Sequence, residues 1–562
     1  MSVIVLGIND GHNAGAALVK DGEVVAAVQE ERLCNIKNFS GVPELAIKEV
    51  FKIAKINPHD IDVIAMVSLN RVYAPLKEMP LKVRLFMRLS PLLHGHSFSS
   101  FYVKVLHKFR PMQKLNKIFS GLGINNKEIV FIEHHQAHAA CAFYSTNHKK
   151  ALVFTSDGAG DGLSSTVNIG FNNKIKRIAS STYYDSLSNV LYSEITRYLG
   201  MKPWESEFKV MGMAPYGKAE YCINEVRKII RINPRNPLEF QNTIGACGVY
   251  IQKKLIKMLA GQRFDNISAA CQLYFEELME KWVKAAIKKT GIHDVAFAGG
   301  SALNVKANKI IREMPEVDSA FFYPAADDGG TPVGAALEAY NRYCDANGIK
   351  PKRKEIKDIY YGMGFSNDDA KELLKKKGWL KKASFIDNID EEVGELIAKG
   401  EIVARCSGRV EFGPRALGNR SILADPRDLK VIGKVNFAIK QRDFWMPFAV
   451  SILEKRMRDY LVDAKFTPYM IEAFDTTEKV DDIIAGTHPK DRTARPQIVN
   501  EWNPSYKKII ETFEAKTGIG AVLNTSFNLH GYPLIGTPDV AISTLENSGL
   551  EWLALGNYLI RK

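Results

Sequence analysis

The sequence predicts an α/β protein of two domains, the first built by internal duplication. Three observations carry this reading. A chain of 562 residues and 62.8 kDa is too long for one hydrophobic core. A unit of strand, acidic glycine turn and hairpin occurs at the N-terminus and again from Ala151. Strand-like and helix-like stretches then alternate to the last residue, the pattern of a mixed α/β architecture.

In the first copy the apolar run "VIVLGI" leads through the turn "NDGHNAG" to "AALVK", the pair Asp21–Gly22 and the run "EVVAAV". Asp-Gly between two β-rich runs is a hairpin signal. Next, "PELAIKEVFKIAKI" has helical spacing behind a proline, and "IDVIAMVS" reads as a buried strand. In the second copy "ALVFTSDGAGDG", "STVNIGF" and "KIKRIASSTYY" repeat the order. Two such units facing each other across a cleft are the plan of the actin-like (ribonuclease H-like) nucleotide folds. Their turn glycines let backbone approach phosphate oxygens, and their turn carboxylates hold a cation. Two later strands end in paired glycines before a helix, "DVAFAGGSALNVKANKII" and "AFFYPAADDGGTPVGAALEAY". Helix N-termini behind such turns accept anions, which makes Gly299, Gly300 and Asn304 candidates for nucleotide contacts.

Residues 1–350 form the first predicted domain. The lysine-rich, interrupted stretch 351–385 is expected to connect it to a second α/β domain, 386–562, which opens with "DEEVGELIAKG" and "EIVARC". One segment stands apart: residues 79–117 combine many Lys and Arg with large apolar residues and no acid, and are expected to form amphipathic helices over the first sheet.

With 46% hydrophobic and 25% charged residues, the composition is that of an ordinary globular protein. The net charge of +13 suits anionic ligands without choosing among phosphates, nucleic acid and acidic surfaces. No apolar run reaches the ~20 residues that span a bilayer, and "MSVIVLGIND" does not resemble a signal peptide, so the cytoplasm is the expected location. Seven scattered cysteines without a CxxC pair point to reduced thiols.

The stretch "EHHQAHAACAFY" holds three histidines in five residues. On a helix His134 and His138 share a face while His135 points elsewhere, a spacing that chelates a metal. The small and aromatic residues around them equally suit a buried helix with hydrogen-bonded histidines, and the spacing alone does not choose.

At "GRVEFGPRALGNRSILADPR", with "FKVMGMAPYG", "THPKDRTARPQIV" and "NTSFNLHGYPLIGTP", the chain strongly resembles the ATP-dependent O-carbamoyltransferases of nodulation-factor and antibiotic biosynthesis. The resemblance covers nearly the whole chain except residues 79–117. It implies an N-terminal domain similar to the tRNA threonylcarbamoyladenosine transferase, with iron on an HxxxH helix. It also implies a C-terminal domain of the threonylcarbamoyl-AMP synthase (YrdC-like) type. Carbamoyl phosphate and ATP, the latter with magnesium, would give carbamoyl-adenylate, and the carbamoyl group would pass to a hydroxyl of a small-molecule acceptor.

On that resemblance His134, His138 and Asp327 are the metal ligands, with neighbouring Asp328 competing with Asp327, and two imidazoles with a carboxylate suit Fe(II) or another divalent ion. His12, Lys37 and Asp157 belong to the nucleotide and transfer site. Arg415, Lys440, Arg495, Asn524 and Asn528 surround the dianionic carbamoyl phosphate, where fixed donors are needed. The general base stays open among His12, Asp10 and a metal-assisted group. Arg420, Arg427 and Arg442 could instead be surface arginines paired with acids such as Glu411 and Asp425. Met446 stands where many relatives carry an arginine before "PFA".

No nucleic-acid partner is expected, and a homo-oligomer is compatible with the sequence. Two other functions stay open, a tRNA threonylcarbamoyl transferase and a non-catalytic, ATP-gated actin-like binding protein. The acceptor itself is not legible.

Overall fold

The computed structural model describes residues 2–69, 112–247 and 249–562. Most of the basic segment 79–117 lies outside the described residues; its end opens the helix Met112–Gly121, which buries Leu115 and Phe119. Among the described residues no helix is long and apolar enough to cross a membrane. The chain divides into two compact units, Met1–Ala27 with Ser40–Ile356 and Val28–Phe39 with Lys357–Lys562.

The first unit holds two five-stranded sheets of one topology. Strands β1 (Ile4–Asn9), β2 (Gly15–Lys20), β3 (Glu23–Gln29), β4 (Val63–Val67) and β5 (Glu128–Ile132) lie in the order β3-β2-β1-β4-β5. The second sheet begins with β6 (Lys150–Gly160), β7 (Leu163–Phe171) and β8 (Lys174–Thr182). After a separate ribbon of β9 (Ile230–Ile232) and β10 (Phe240–Asn242), it is completed by β11 (Asp294–Ala298) and β12 (Ser319–Phe322) in the order β8-β7-β6-β11-β12. In both sheets the leading strand pairs antiparallel with the next and parallel with the fourth. This is the duplication expected from the sequence, and Asp21 and Gly22 both take positive φ at the predicted hairpin turn.

Strand β5 runs into the helix His134–Tyr144, and β12 into Thr331–Ala346, so these helices occupy equivalent places in the two copies. They touch backbone to backbone: a Cβ on Gly334 would overlap the Ala137 carbonyl oxygen and stand 2.7 Å from Cys141 Sγ. A Cβ on Gly7 of β1 would likewise overlap the Pro332 carbonyl oxygen. Every residue of His134–Tyr144 except Gln136 is buried, which explains why small and apolar residues follow the histidines all round the helix.

The second unit is one eight-stranded mixed sheet. Its strands are β13 (Ala383–Phe385), β14 (Val403–Cys406), β15 (Arg420–Ala424), β16 (Ala449–Leu453), β17 (Pro496–Val499), β18 (Ala521–Ser526), β19 (Trp552–Leu555) and β20 (Tyr558–Arg561). They run β13-β20-β19-β14-β15-β18-β16-β17. Alternate residues feed two cores: Val403, Leu423 and Val522 join helices Ile389–Ala398 and Pro504–Thr517, whereas Ala404, Ile422 and Leu523 join Asn367–Lys376 and Pro538–Glu546.

Residues 357–385, expected to be a connection, belong to this unit. Ser366 and Asp369 form a capping box, and the helix it starts buries Ala370 and Leu374 four residues apart. Six lysines from 371 to 382 hid that stripe from a composition-based reading.

Candidate active site and family

In the first unit the site grows from the start of helix His134–Tyr144. Glu133 caps it, accepting from the amides of His135 and Gln136, and also pairs with Arg177. One turn apart, His134 and His138 bring their Nε2 atoms to 3.2 Å. Asp157 arrives from a bulge in β6, where the register with β7 shifts between Ser156 and Gly160. Its Oδ2 lies 3.2 Å from His134 Nε2 and 3.6 Å from His138 Nε2, while Oδ1 accepts from the Gly300 amide at 3.0 Å. Asp328 Oδ1, a buried oxygen, stands 3.4 and 3.5 Å from the same two nitrogens. The four ligand atoms lie within 4.8 Å of one another.

It is Asp328, rather than the expected Asp327, that faces the two imidazoles. Asp327 is the N-cap of the short turn before Thr331–Ala346: Oδ1 accepts from Gly329 N at 3.0 Å, and Oδ2 from Asn13 Nδ2 at 3.3 Å. A capping carboxylate folds back on its own turn, and its neighbour faces the imidazoles. Asn9 and Asn13 of the first acidic turn hold this loop, Asn9 Nδ2 donating to Asp328 O at 3.2 Å. These two asparagines were not singled out from the sequence, though they sit in the turn that was.

A bound divalent cation fits this donor set. Burial opposes charge on His134, yet Asp328, Asp157 and Asp161 outweigh it and push the imidazole up to about 10. His138 is raised too, against burial, by its bonds to Asp157 and Asp328. Protons thus stand where a cation would bind. His135 differs: burial pushes it down to about 3, and Nδ1 bonds Thr155 Oγ1 at 2.8 Å, so it is a neutral structural residue. A Cβ on Gly160 would overlap the His134 ring.

The raised His134 fixes a pH dependence. In the metal-free protein its protonated form stabilises the fold fully below the unfolded value near 6.5, and this is lost as pH rises toward about 10. A divalent ion must displace that proton. The gain in melting temperature on adding metal should therefore be larger at pH 9 than at pH 6.5, as scanning calorimetry will show.

Of the other predicted residues in this unit, His12 lies half-buried in the first turn, its carbonyl accepting from Asn9 Nδ2 at 2.7 Å. Gly299 has φ 93°, and a Cβ there would overlap the Ser156 carbonyl oxygen. Asn304 caps helix Val305–Glu313 and exchanges two bonds of 3.0 Å with Gln272, so its amide is engaged within the protein. Lys37 is exposed on a turn of Val28–Phe39, the segment grouped with the second unit.

The second unit gathers the predicted cations. Buried Glu411 organises the loop that bears Arg415, its Oε1 accepting from the amides of Leu417, Asn419 and Arg420 at 2.8, 2.8 and 3.1 Å. Arg415, Arg442 and Arg495 lie close enough to repel one another. Burial and Arg415 lower Arg442 to about 10; burial, Arg415 and Arg442 hold Arg495 well below its usual range. Burial and Arg442 likewise depress Lys440, whose Nζ donates to Ser526 Oγ at 3.0 Å and Asn528 Oδ1 at 2.8 Å. Asn524 donates to Ser451 Oγ at 3.1 Å, leaving its buried Oδ1 without a partner.

The three arginines left open now separate. Arg427 pairs with Asp425 at 2.6 Å, and fully buried Arg420 donates to the carbonyls of Ser407 and Gly408. Arg442 joins the cation group, stacked 5.1 Å over Phe448.

Residues 4–337 match the carbamoyltransferase N-terminus model and residues 394–562 the carbamoyltransferase C-terminus model. The chain belongs to the carbamoyltransferase family. An uncharacterised protein of Methanocaldococcus jannaschii is 32% identical over 574 residues, covering all of both chains. The nodulation protein NolNO of Sinorhizobium fredii is 31% identical over 98% of this chain and 79% of its own length. The 3'-hydroxymethylcephem-O-carbamoyltransferase of Amycolatopsis lactamdurans is 28% identical over 53% of this chain and 55% of its own. Among solved structures, HypF in its phosphate- and nucleotide-bound form covers 62% of this carbamoyltransferase-family chain and 56% of its own at 12% identity and a TM-score of 0.33, a likeness from which no function is taken.

Proposed function

We propose that the chain is an ATP-dependent O-carbamoyltransferase, converting carbamoyl phosphate, water and ATP to carbamoyl-adenylate, pyrophosphate and phosphate, then passing the carbamoyl group to a hydroxyl of a small-molecule acceptor with release of AMP. The observation that carries this is the group of cations in the second unit, buried Lys440 with half-buried Arg415, Arg442 and Arg495, whose mutual repulsion an anion would relieve. A small dianion such as carbamoyl phosphate relieves that repulsion, and fixed donors stabilise charge as its phosphoryl group departs. Asn524 and Asn528 orient donors and acceptors around it. In this reading the second unit has the fold of the threonylcarbamoyl-AMP synthases.

In the first unit, His134, His138, Asp157 and Asp328 would hold a divalent ion, for which nitrogen and oxygen donors without thiolate suit Fe(II). Such an ion would supply Lewis acidity at a carbonyl oxygen. The nucleotide would lie against the Gly299–Gly300 turn, and His12 or Asp10 would take the acceptor's proton. O-carbamoylation accords with the cephem-acting relative, whose name states that chemistry.

The experiment is incubation of the full chain, supplied with Fe(II), with ATP and carbamoyl phosphate. Pyrophosphate release that depends on carbamoyl phosphate is expected. Its absence removes the reading.

A further inference from the structure

Asp161 stands outside the cluster of His134, His138, Asp157 and Asp328, yet it grips one of its members. It lies just past β6 at φ 50°, and its Oδ2 accepts from the His134 amide at 2.8 Å and from the Leu69 amide at 2.9 Å. Leu69 is two residues beyond β4 and His134 two beyond β5, and these strands are paired neighbours in the first sheet. One oxygen from the second sheet therefore ties two strand ends of the first.

Helix capping alone does not call for this bond. Glu133, the residue before the helix, already accepts from the amides of His135 and Gln136 through its side chain and from that of Ala137 through its carbonyl. The remaining amide of the first turn, that of His134, is answered from 27 residues away. The same stretch touches His134 twice more: Asp157 Oδ2 lies 3.2 Å from Nε2, and a Cβ on Gly160 would overlap the ring. Residues 157–161 thus set the backbone, the ring and the reacting nitrogen of one histidine. The first copy acts in the opposite direction. Asn13, also two residues ahead of its copy's second strand and at φ 51°, crosses to the start of helix Thr331–Ala346 and donates to Asp327 Oδ2 at 3.3 Å, beside Asp328.

We infer that Asp161 is a positioning residue of this centre: by holding the His134 amide it keeps Nε2 at the spacing from Asp157 and Asp328 that a divalent ion needs. The inference rests on the reading of those four side chains as ligands given above. Partners that orient a metal ligand are commonly worth about ten- to a hundredfold in metal affinity.

The test is titration of the metal-free full chain with Co(II), read by isothermal calorimetry and by the visible absorption of the bound ion, with no ATP or carbamoyl phosphate present. Asp161→Gly removes the carboxylate and leaves a residue that adopts positive φ freely, so the turn itself is not strained. Its Kd for Co(II) should rise about tenfold, with a shifted visible band. Asp161→Asn keeps an oxygen that accepts from both amides and should return the Kd to within about threefold of wild type, with the wild-type band. Asp21→Gly is the control, because Asp21–Gly22 is another Asp-Gly turn with positive φ at both residues, at the end of β2 away from the cluster; its Kd should equal that of wild type. Asp161→Ala stands in if circular dichroism shows that Asp161→Gly does not fold, and if neither folds, a Kd kept in Asp161→Asn supports the inference and a Kd lost there overturns it. A wild type that takes up no Co(II) overturns both this inference and the ligand reading. A wild type that binds, beside an Asp161→Gly variant that binds equally or an Asp161→Asn variant as weak as Asp161→Gly, overturns this inference alone.

Discussion

Arg495→Met should lower carbamoyl-phosphate-dependent pyrophosphate release by at least about a hundredfold, the ~2.7–4 kcal/mol that one preorganised donor supplies, while raising the melting temperature of the ligand-free protein. Among the described residues Arg495 forms no hydrogen bond or ion pair, and burial with Arg415 and Arg442 holds its affinity for a proton well below normal. A charge held beside two other cations costs folding free energy that a bound anion would offset, so an apolar side chain of similar length should relieve that cost. Inorganic phosphate should raise the wild-type melting temperature by binding the folded state and have much less effect on the variant. Calorimetry with and without phosphate, beside the pyrophosphate assay, tests both signs. A variant that is less stable and fully active would show that Arg495 is a structural residue.

His138→Gln should abolish stoichiometric metal retention and reduce carbamoyl transfer by roughly a thousandfold, the several kcal/mol that metal assistance supplies. The side chain is 1% exposed and its Nε2 faces His134, Asp157 and Asp328. Two further variants separate adjacent carboxylates. Asp328→Asn should behave like His138→Gln, whereas Asp327→Asn, which removes a cap acceptor, should cost only about tenfold through loosened positioning. Metal analysis after anaerobic loading with Fe(II) reads the difference, and the reverse ranking would return the ligand role to Asp327.

Those two aspartates show where sequence reading stops. Strands, hairpins and acidic turns are local: alternation, the Asp21–Gly22 pair and the repeated order were enough to find every strand of the first unit's two five-stranded sheets except β5. His134 and His138 were legible because helical spacing alone puts them on one face. Which of two consecutive carboxylates turns inward depends on cap geometry, set by Gly329 and by Asn13 more than three hundred residues away. The cation group was legible only through long ordered motifs, because nothing near Arg495 or Lys440 announces that they will fold beside other cations. Arg420 and Arg427 look alike in sequence, and only folding distinguishes a carbonyl-binding pillar from a partner of Asp425. The helix Asn367–Lys376 was missed because its two buried residues are outnumbered by surface lysines.

The assignment of Val28–Phe39 to the second unit bears on how this polypeptide can be cut. Arg32 is buried there, donating to Gly413 O at 2.7 Å and Leu534 O at 3.3 Å, and Gly536 has no room for a side chain against the Arg32 carbonyl. A fragment starting at Lys357 would lack this plug and leave two main-chain acceptors uncovered next to the loop that carries Arg415. Gene fission at the apparent boundary would sever a part from the half that needs it.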